Sequence, residues 1–87
     1  MYQIRTGAPV EKVLKKALKS DTHLYEAIKD MMRRIVENPE IGKPLRHEMK
    51  YHRRVQMGSY VLLYEIGVNT IFFLDYDHHD KVYKKYR

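Results

Sequence analysis

The sequence predicts a single α+β domain of order β-α-α-β-β-β, in which an antiparallel sheet carries a two-helix hairpin packed on one face. In the first half of the chain apolar residues recur with the helical period, and in the second half they alternate with the strand period of two. Glycine and proline stand where the pattern changes. A chain of 87 residues suits one modest core, so we expect one domain over residues 1–87.

The first strand and the helix hairpin occupy the N-terminal half. The segment YQIRT alternates as a strand does, and Pro9 behind it suits the first turn of a helix because its missing N–H needs no partner there. The first helix should end near Ser20, and Asp21 or Thr22 should cap a second helix that Pro39 ends. The predicted apolar stripes are Val10, Val13, Leu14, Ala17 and Leu18, followed by Leu24, Ile28, Met31, Met32 and Ile35.

Three further strands should form an antiparallel meander after a loop at 41–50. The segments RRVQM, SYVLLYEI and TIFFLDY are rich in β-branched and aromatic residues and are separated by turns, the first at Gly58. Alternation places His52, Arg54 and Gln56 on one face of the first of these strands. We expect that face to form a binding surface together with the C-terminal tail.

The formal net charge of +6 favours acidic partners such as nucleic acid, acidic proteins or an anionic membrane surface, without choosing among them. The chain has no cysteine, which excludes disulfides and thiolate metal sites and suits a reducing compartment. No apolar run approaches the roughly 18 residues that cross a bilayer. We therefore expect a soluble, cytoplasmic protein without a membrane partner.

Two basic segments flank the meander, one at 43–54 and one from Lys81 onward. If the three strands are neighbours, we expect the start of the first and the exit of the third at the same end of the sheet, which would bring both segments together. Tyrosines stand among these charges, a combination that can follow a phosphate backbone and stack on unpaired bases. The candidate RNA-binding residues are Arg46, Lys50, His52, Arg53, Lys81, Lys84 and Lys85.

Three segments, ENPEIGKPLRHEMK, RRVQMGSYVLLYEI and DYDHHDKVY, together resemble the RelE/ParE superfamily of toxins from toxin-antitoxin modules, especially an archaeal RelE-like branch. The likeness covers almost the whole chain and implies the fold predicted above. It also implies a toxin that inhibits translation as a ribosome-dependent mRNA interferase. Such an endoribonuclease enters the ribosomal decoding site, and a cognate antitoxin wraps and blocks it.

The resemblance carries over to individual positions. Arg54 matches the first arginine of the family's R-x-R-x-G-x-Y-R stretch, and Gly58 and Tyr60 match its glycine and tyrosine. Two positions depart from the pattern, because Gln56 and Val61 stand where RelE toxins commonly have arginines. The lost positive charge weakens transition-state stabilisation and therefore weakens the prediction of efficient cleavage.

A second match lies at the end of the chain, where the family ends in H-R-x-x-V-Y. His78 stands at the position of its histidine, His79 at that of its arginine and Tyr83 at that of its tyrosine. RNA cleavage without a metal requires a deprotonated 2′-OH, a protonated leaving oxygen and fixed donors for the charge on phosphorus. An imidazole can exchange the proton, since it ordinarily titrates near about 6.5.

The chemical hypothesis assigns one task to each kind of side chain. Arg54, assisted by Lys50 or Arg46, would hold the scissile phosphate. One of the two histidines would exchange the proton, and the tyrosine would position the nucleophile or stack on a base. The candidate catalytic residues are Arg54, His79, Tyr83 and His78.

Each assignment has a plainer structural alternative. His79 can be a surface histidine, and Tyr83 and Tyr86 can be core residues that anchor the tail. We expect no metal and no other cofactor, because adjacent histidines diverge in an extended backbone and no cysteine or HxxxH spacing supports them. Asp77 and Asp80 would then orient the imidazoles or cap the last turn.

A second function class is a non-catalytic or degenerate RelE/ParE-like binding protein that occupies a target or serves as the partner of its antitoxin. Gln56 and Val61 favour this class. In both classes we expect a cognate antitoxin, whose acidic or amphipathic segment covers exposed apolar and basic surfaces. The enzyme would also bind the ribosome and mRNA. The sequence leaves open a homodimer and a toxin-antitoxin hetero-oligomer.

Overall fold

A computed structural model describes residues 2–45 and 51–86, and within them the chain forms a five-stranded sheet with helices on both faces. The α+β class, the helix hairpin and the meander predicted from the sequence are confirmed. The elements in chain order are β1 (Gln3–Thr6), α1 (Ala8–Ser20), α2 (Thr22–Glu37), a 3₁₀ turn (Pro39–Ile41), β2 (Lys43–Pro44), β3 (His52–Met57), β4 (Tyr60–Ile66), β5 (Thr70–His78) and α3 (His79–Lys85).

The sheet is mixed rather than fully antiparallel, which corrects one part of the prediction. The strand order is β1-β5-β4-β3-β2, and β1 pairs with β5 in parallel, with Ile4 opposite Ile71. The β3–β4 and β4–β5 pairs are antiparallel, as expected for the meander. A strand of 4 residues alternates identically in either direction, so its own pattern does not set its orientation. The path of the chain through α1 and α2 decides it.

Local signals form the helix hairpin as predicted. Pro9 lies in the first turn of α1, and Asp21 caps α2 by accepting a hydrogen bond from the Leu24 N–H at 3.1 Å. Leu18 departs from the predicted stripe, since it is 56% exposed beside Leu14 in a shallow groove between the two helices. The core between the sheet and the α1–α2 hairpin, called the helix side below, contains Val10, Ile28, Met32, Ile35, Leu62, Tyr64, Ile71, Phe73 and Tyr76.

Tyr64 joins the central strand to the turn after α2. Its buried hydroxyl donates a hydrogen bond to the Pro39 carbonyl and accepts one from the Gly42 N–H at 3.0 Å. A Cβ at Gly42 would lie 2.5 Å from that hydroxyl, so the position requires glycine. Arg53 donates to the Gly42 carbonyl at 2.7 Å and to the Glu40 carbonyl at 3.2 Å. Together these contacts hold β2 against β3.

We expect Tyr64→Phe to lower the free energy of unfolding by about 1–3 kcal/mol, because the buried Gly42 N–H loses its acceptor. Urea denaturation measures the loss, and the m-value should stay constant. Tyr25→Phe, at a half-buried position on α2, is the control and should change stability by less than about 0.5 kcal/mol. Equal stability of the two variants would contradict the role assigned to this hydroxyl.

The segment expected as a tail forms α3, which lies on the sheet face opposite the helix hairpin. Val82 is 1% exposed and packs against Val61 and Leu63 of β4. A helix of 7 residues with one buried position shows no apolar stripe, so periodicity does not reveal it. Gly58, at φ 65°, makes the β3–β4 turn that the sequence predicted. Among the described residues, no helix is long and apolar enough to cross a bilayer.

Candidate functional site

The end of β5 and the start of β3 lie at opposite ends of the sheet. The register places His52 opposite Glu65 and Glu65 opposite Phe72, near the start of β5. His78, at the end of β5, instead lies opposite Tyr60. The expectation that both basic segments meet at one end of the sheet is therefore wrong. In an up-down-up meander, the first strand begins at one end and the third strand leaves at the other.

α3 nevertheless brings the predicted residues together, because it turns back across the sheet. Arg54 lies opposite Leu63 on the face that α3 covers. Its guanidinium carbon is 5.4 Å from the centre of the Tyr83 ring. The Tyr83 ring lies 6.4 Å from the His79 ring in an edge-on arrangement. We call Arg54, His79 and Tyr83 the α3-face cluster.

The two adjacent histidines stack on one another, with ring centres 4.5 Å apart and planes inclined by 28°. The expectation that they diverge is wrong, because β5 ends at His78 and α3 begins at His79, so the backbone is not extended through both. His78 Nδ1 accepts a hydrogen bond from the Asp80 N–H at 3.3 Å and caps α3. The His79 N–H donates to the Ser59 carbonyl at 3.0 Å and fixes the start of the helix to the β3–β4 turn.

The contacts of the His78 and His79 rings indicate which ring nitrogen of each can accept a proton. His79 Nδ1 lies 3.0 Å from Asp80 Oδ1, and a carboxylate at this distance favours a proton on Nδ1. Nε2 of His79 is then the atom that can accept a proton. A neutral His78 that accepts at Nδ1 carries its proton on Nε2 and can only donate there. His79 is thus the better placed proton acceptor.

His78, His79 and Asp80 have one further property in common. One ligand atom from each lies within 4.8 Å of the others, a spacing that a metal ion could join. The sequence argument against a metal rested on diverging rings and on the lack of cysteine or HxxxH spacing, and the stacked rings remove the first of these grounds. A metal-free site remains a prediction, which a chelator can test.

Lys85 is held by carboxylates of β5. Its Nζ donates to Asp75 at 2.9 Å and to Asp77 at 3.0 Å, while the Tyr86 hydroxyl donates to Asp75 at 3.2 Å. Tyr86 is therefore an anchor of the C-terminal segment, as the plainer alternative for this residue proposed. The other basic residues of α3, Lys81 and Lys84, are exposed.

These contacts shift the titration of three groups, since burial and the neighbouring Asp75 raise the pKa of Tyr86. Hydrogen bonds to Asp75 and Asp77 raise the pKa of Lys85. Burial raises the pKa of the Asp77 carboxyl, but the His78 N–H and Lys85 together bring it below its ordinary value. The Lys85 contribution to stability is present below the ordinary pKa of 10.5 and is lost as pH rises through the folded value. The Asp77 contribution is present above 3.8 and is lost as pH falls through the folded value.

We therefore expect the contacts of Lys85 with Asp75 and Asp77 to persist between about pH 5 and about pH 9 and to weaken in strong alkali and in strong acid. The buried methyl groups of Val82 report the docking of α3 by NMR. Their chemical shifts should move above about pH 10 and again below about pH 4. The methyls of Val10, on the helix side of the core, are the internal control. Val82 shifts that stay constant through both ranges would contradict the assignment.

Of the other predicted RNA-binding residues, two have partners within the protein and two lie outside the described part of the chain. His52 Nε2 lies 3.0 Å from Glu65, and Arg53 is engaged on the helix side of the sheet with Gly42. Arg46 and Lys50 lie outside the described residues. Of the two positions that depart from the family pattern, Gln56 is exposed and Val61 is fully buried beneath α3.

Two contacts beside the predicted catalytic residues Arg54 and His78 were not predicted from the sequence. Lys43 on β2 lies directly opposite Arg54 and is exposed, but a strand of 2 residues has no pattern that predicts its pairing. Tyr60 stacks on Tyr76 at 5.2 Å and meets the edge of His78 at 5.8 Å. The resemblance to the family motif identified Tyr60, but it did not predict that Tyr60 contacts His78.

Comparison with known proteins assigns the family. A model of the ParE toxin of type II toxin-antitoxin systems, parDE, matches residues 4–83. A Methanocaldococcus jannaschii protein named RelE4 after the RelE toxins is 39% identical over 88 residues, which cover 98% of this chain and 94% of that protein.

Solved structures agree with this assignment. In the Mycobacterium tuberculosis toxin-antitoxin complex RelBE2, a chain 27% identical aligns with a TM-score of 0.70 over 88% of this chain and 96% of its own. In the E. coli DinJ–YafQ complex, a chain 18% identical aligns with a TM-score of 0.75 over 95% and 99%, and this likeness shows the fold alone. The resemblance predicted from the sequence is confirmed, and the chain belongs to the ParE toxin family of type II toxin-antitoxin systems.

Proposed function

We propose that this toxin cleaves messenger RNA on the ribosome, in the cytoplasm, and that the α3-face cluster carries out the reaction. The observation that supports the proposal most strongly is the convergence of Arg54, Tyr83 and His79, which come from two elements separated by the whole of β4 and β5. A guanidinium, an imidazole and a phenol suffice for phosphodiester cleavage by a 2′-OH.

In the proposed mechanism, His79 Nε2 removes the proton from the 2′-OH while Asp80 stabilises the imidazolium that forms. The oxygen attacks the adjacent phosphorus and the 5′-oxygen leaves. Arg54 stabilises the negative charge on the phosphoryl oxygens, and Tyr83, 40% exposed, stacks on a base or orients the nucleophile. His78 is the candidate donor of a proton to the leaving oxygen, a step that requires its imidazolium form. Only after this transfer is His78 the neutral imidazole that accepts from the Asp80 N–H.

One observation favours the second function class, a toxin that binds its target without cutting it. Val61 is 0% exposed in the core under α3, so a guanidinium there would have to displace packed side chains. The cluster thus has fewer cations than the family pattern supplies. Lys43, opposite Arg54, is the described residue best placed to compensate.

The deciding experiment adds purified protein to a translation extract and maps the ends of the messenger. Cleavage on the ribosome predicts new ends in phase with codons, and none when translation initiation is blocked. Arrested translation with intact messenger would overturn the nuclease and support the binding class. An unchanged rate with a zinc-selective chelator, which spares the magnesium of the ribosome, would agree with metal-free chemistry. Loss of cleavage with the chelator would assign a metal to the histidine pair.

We also propose that the partner of the chain is an antitoxin with an acidic, amphipathic segment. The toxin has a formal net charge of +6 and exposes Leu18, Tyr60 and Tyr83. A disordered acidic chain can neutralise this charge and cover these side chains together. The related M. tuberculosis structure is a toxin-antitoxin complex. Co-expression with a neighbouring acidic reading frame should yield a complex that no longer cuts RNA, and light scattering of both forms gives their oligomeric states.

A further inference from the structure

Asp75 is a buried charged group that the proposed reaction does not use. Its side chain is 2% exposed, on the strand that leads to the histidines. Its Oδ2 accepts hydrogen bonds from Lys85 Nζ at 2.9 Å and from the Tyr86 hydroxyl at 3.2 Å. Lys85 also donates to Asp77 at 3.0 Å. Both donors to Asp75 come from the last turn of α3 and its C-cap.

The start of α3 is fixed by the hydrogen bond from the His79 N–H to the Ser59 carbonyl, and these contacts are the corresponding polar attachment of its end. The helix has 7 residues, too few to be stable alone, and Val82 is its one fully buried side chain. Apolar contacts are non-directional and leave a short helix free to rotate or slide on the sheet. Hydrogen bonds from an ammonium to carboxylates fix direction and distance. A buried carboxylate without them would be strongly unfavourable, which favours the docked helix.

The same helix carries two members of the α3-face cluster. His79 is its first residue, and Tyr83 lies two residues before Lys85. A displacement at Lys85 therefore moves the Tyr83 ring relative to Arg54, which lies on β3 and does not move with the helix.

We propose that Asp75, Asp77, Lys85 and Tyr86 form a latch that positions α3, and that Lys85 is a positioning residue for RNA cleavage instead of a contact to RNA. The inference rests on the proposed function for its effect on rate. The latch itself is measurable without any substrate. The hydrogen bonds to Asp75 and Asp77 come from Lys85. Another lysine of the same helix can therefore serve as a matched control.

The experiment compares Lys85→Met with Lys84→Met. Each removes one positive charge from the same helix, and Lys84 is exposed. We expect Lys85→Met to lower kcat about 10- to 100-fold on ribosomes programmed with a short messenger, because small misplacements of catalytic groups have large effects. It should also speed amide hydrogen exchange in α3 but not in α1 or α2. Lys84→Met, at a predicted RNA contact, should leave exchange unchanged and raise KM in a salt-dependent way.

Two milder variants test the latch in case Lys85→Met does not fold. Tyr86→Phe removes one hydrogen bond and keeps the ring, so it should shift exchange and kcat in the same direction as Lys85→Met, but less. Lys85→Arg keeps a cation that can reach both carboxylates and should restore most of kcat.

Three results would overturn the latch. Lys85→Met could behave as Lys84→Met does, with a raised KM and unchanged exchange, which would make Lys85 an RNA contact. It could loosen α3 while kcat stays native, which would remove the positioning role. If the native chain cuts no RNA, the proposed function fails separately, and unchanged exchange in Lys85→Met would then overturn the latch as well.

Discussion

We expect the Arg54→Met protein to cleave ribosome-bound messenger about 10²- to 10³-fold more slowly than the native chain. Arg54 is the charged donor of the α3-face cluster, with its guanidinium over the Tyr83 ring at 5.4 Å. Without it, the charge that develops on phosphorus loses a preorganised donor. Methionine keeps the apolar part of the side chain, so the sheet should remain folded. Quenched-flow measurement of single-turnover rates checks the loss, and thermal unfolding checks the fold.

Arg5→Met is the matched control for this prediction. It removes the same charge from β1, at the opposite edge of the sheet, where Arg5 lies over Phe72 at 5.5 Å. We expect this variant to cleave at close to the native rate. If both variants cleave equally fast, then general positive charge, and not a fixed donor in the cluster, assists the reaction.

The second large effect is expected for His79→Gln, which should lower the cleavage rate by about 10²- to 10⁴-fold. Glutamine keeps a polar side chain but cannot transfer a proton. The pH–rate profile should therefore lose the limb that the imidazole contributes. His23→Gln, at an exposed position on α2, is the control and should retain both the native rate and the native profile.

His78→Gln separates proton transfer from helix capping. His78 Nδ1 caps α3, so its replacement should loosen α3 in hydrogen exchange as well as slow the reaction. His79→Gln should slow the reaction while α3 exchange stays native. A His79→Gln protein with the native pH–rate profile would exclude His79 as the general base and direct attention to its neighbour.

Local signals predicted most of the fold. Pro9, Asp21 and Gly58 mark a helix start, a shared helix boundary and a hairpin turn, and each acts within a few residues of itself. The parallel pairing of β1 could not be predicted from the sequence, because it depends on where the chain returns after two helices. α3 could not be predicted because its packing depends on one buried residue, Val82.

For the candidate site, the sequence identified the residues but not the way in which the fold brings them together. The resemblance to RelE toxins named Arg54, His79 and Tyr83, and the structure brings all three to one face of the sheet. The sequence prediction that the start of β3 and the end of β5 meet is wrong. Arg54 and Tyr83 meet instead because α3 turns back across the sheet. Lys85 looked like its neighbours Lys81 and Lys84 in the sequence, because the sequence does not show that Asp75 is buried beneath it.

The central claim is that Arg54 and His79 act on the same phosphate. Single-turnover rates of Arg54→Met, His79→Gln and the double variant on identical programmed ribosomes test it directly. Groups that act as a unit in one transition state predict a double variant only slightly slower than the slower single variant. Losses that multiply, so that the double variant is slower than the slower single variant by the full loss of the other, would indicate two independent contributions and contradict a shared centre.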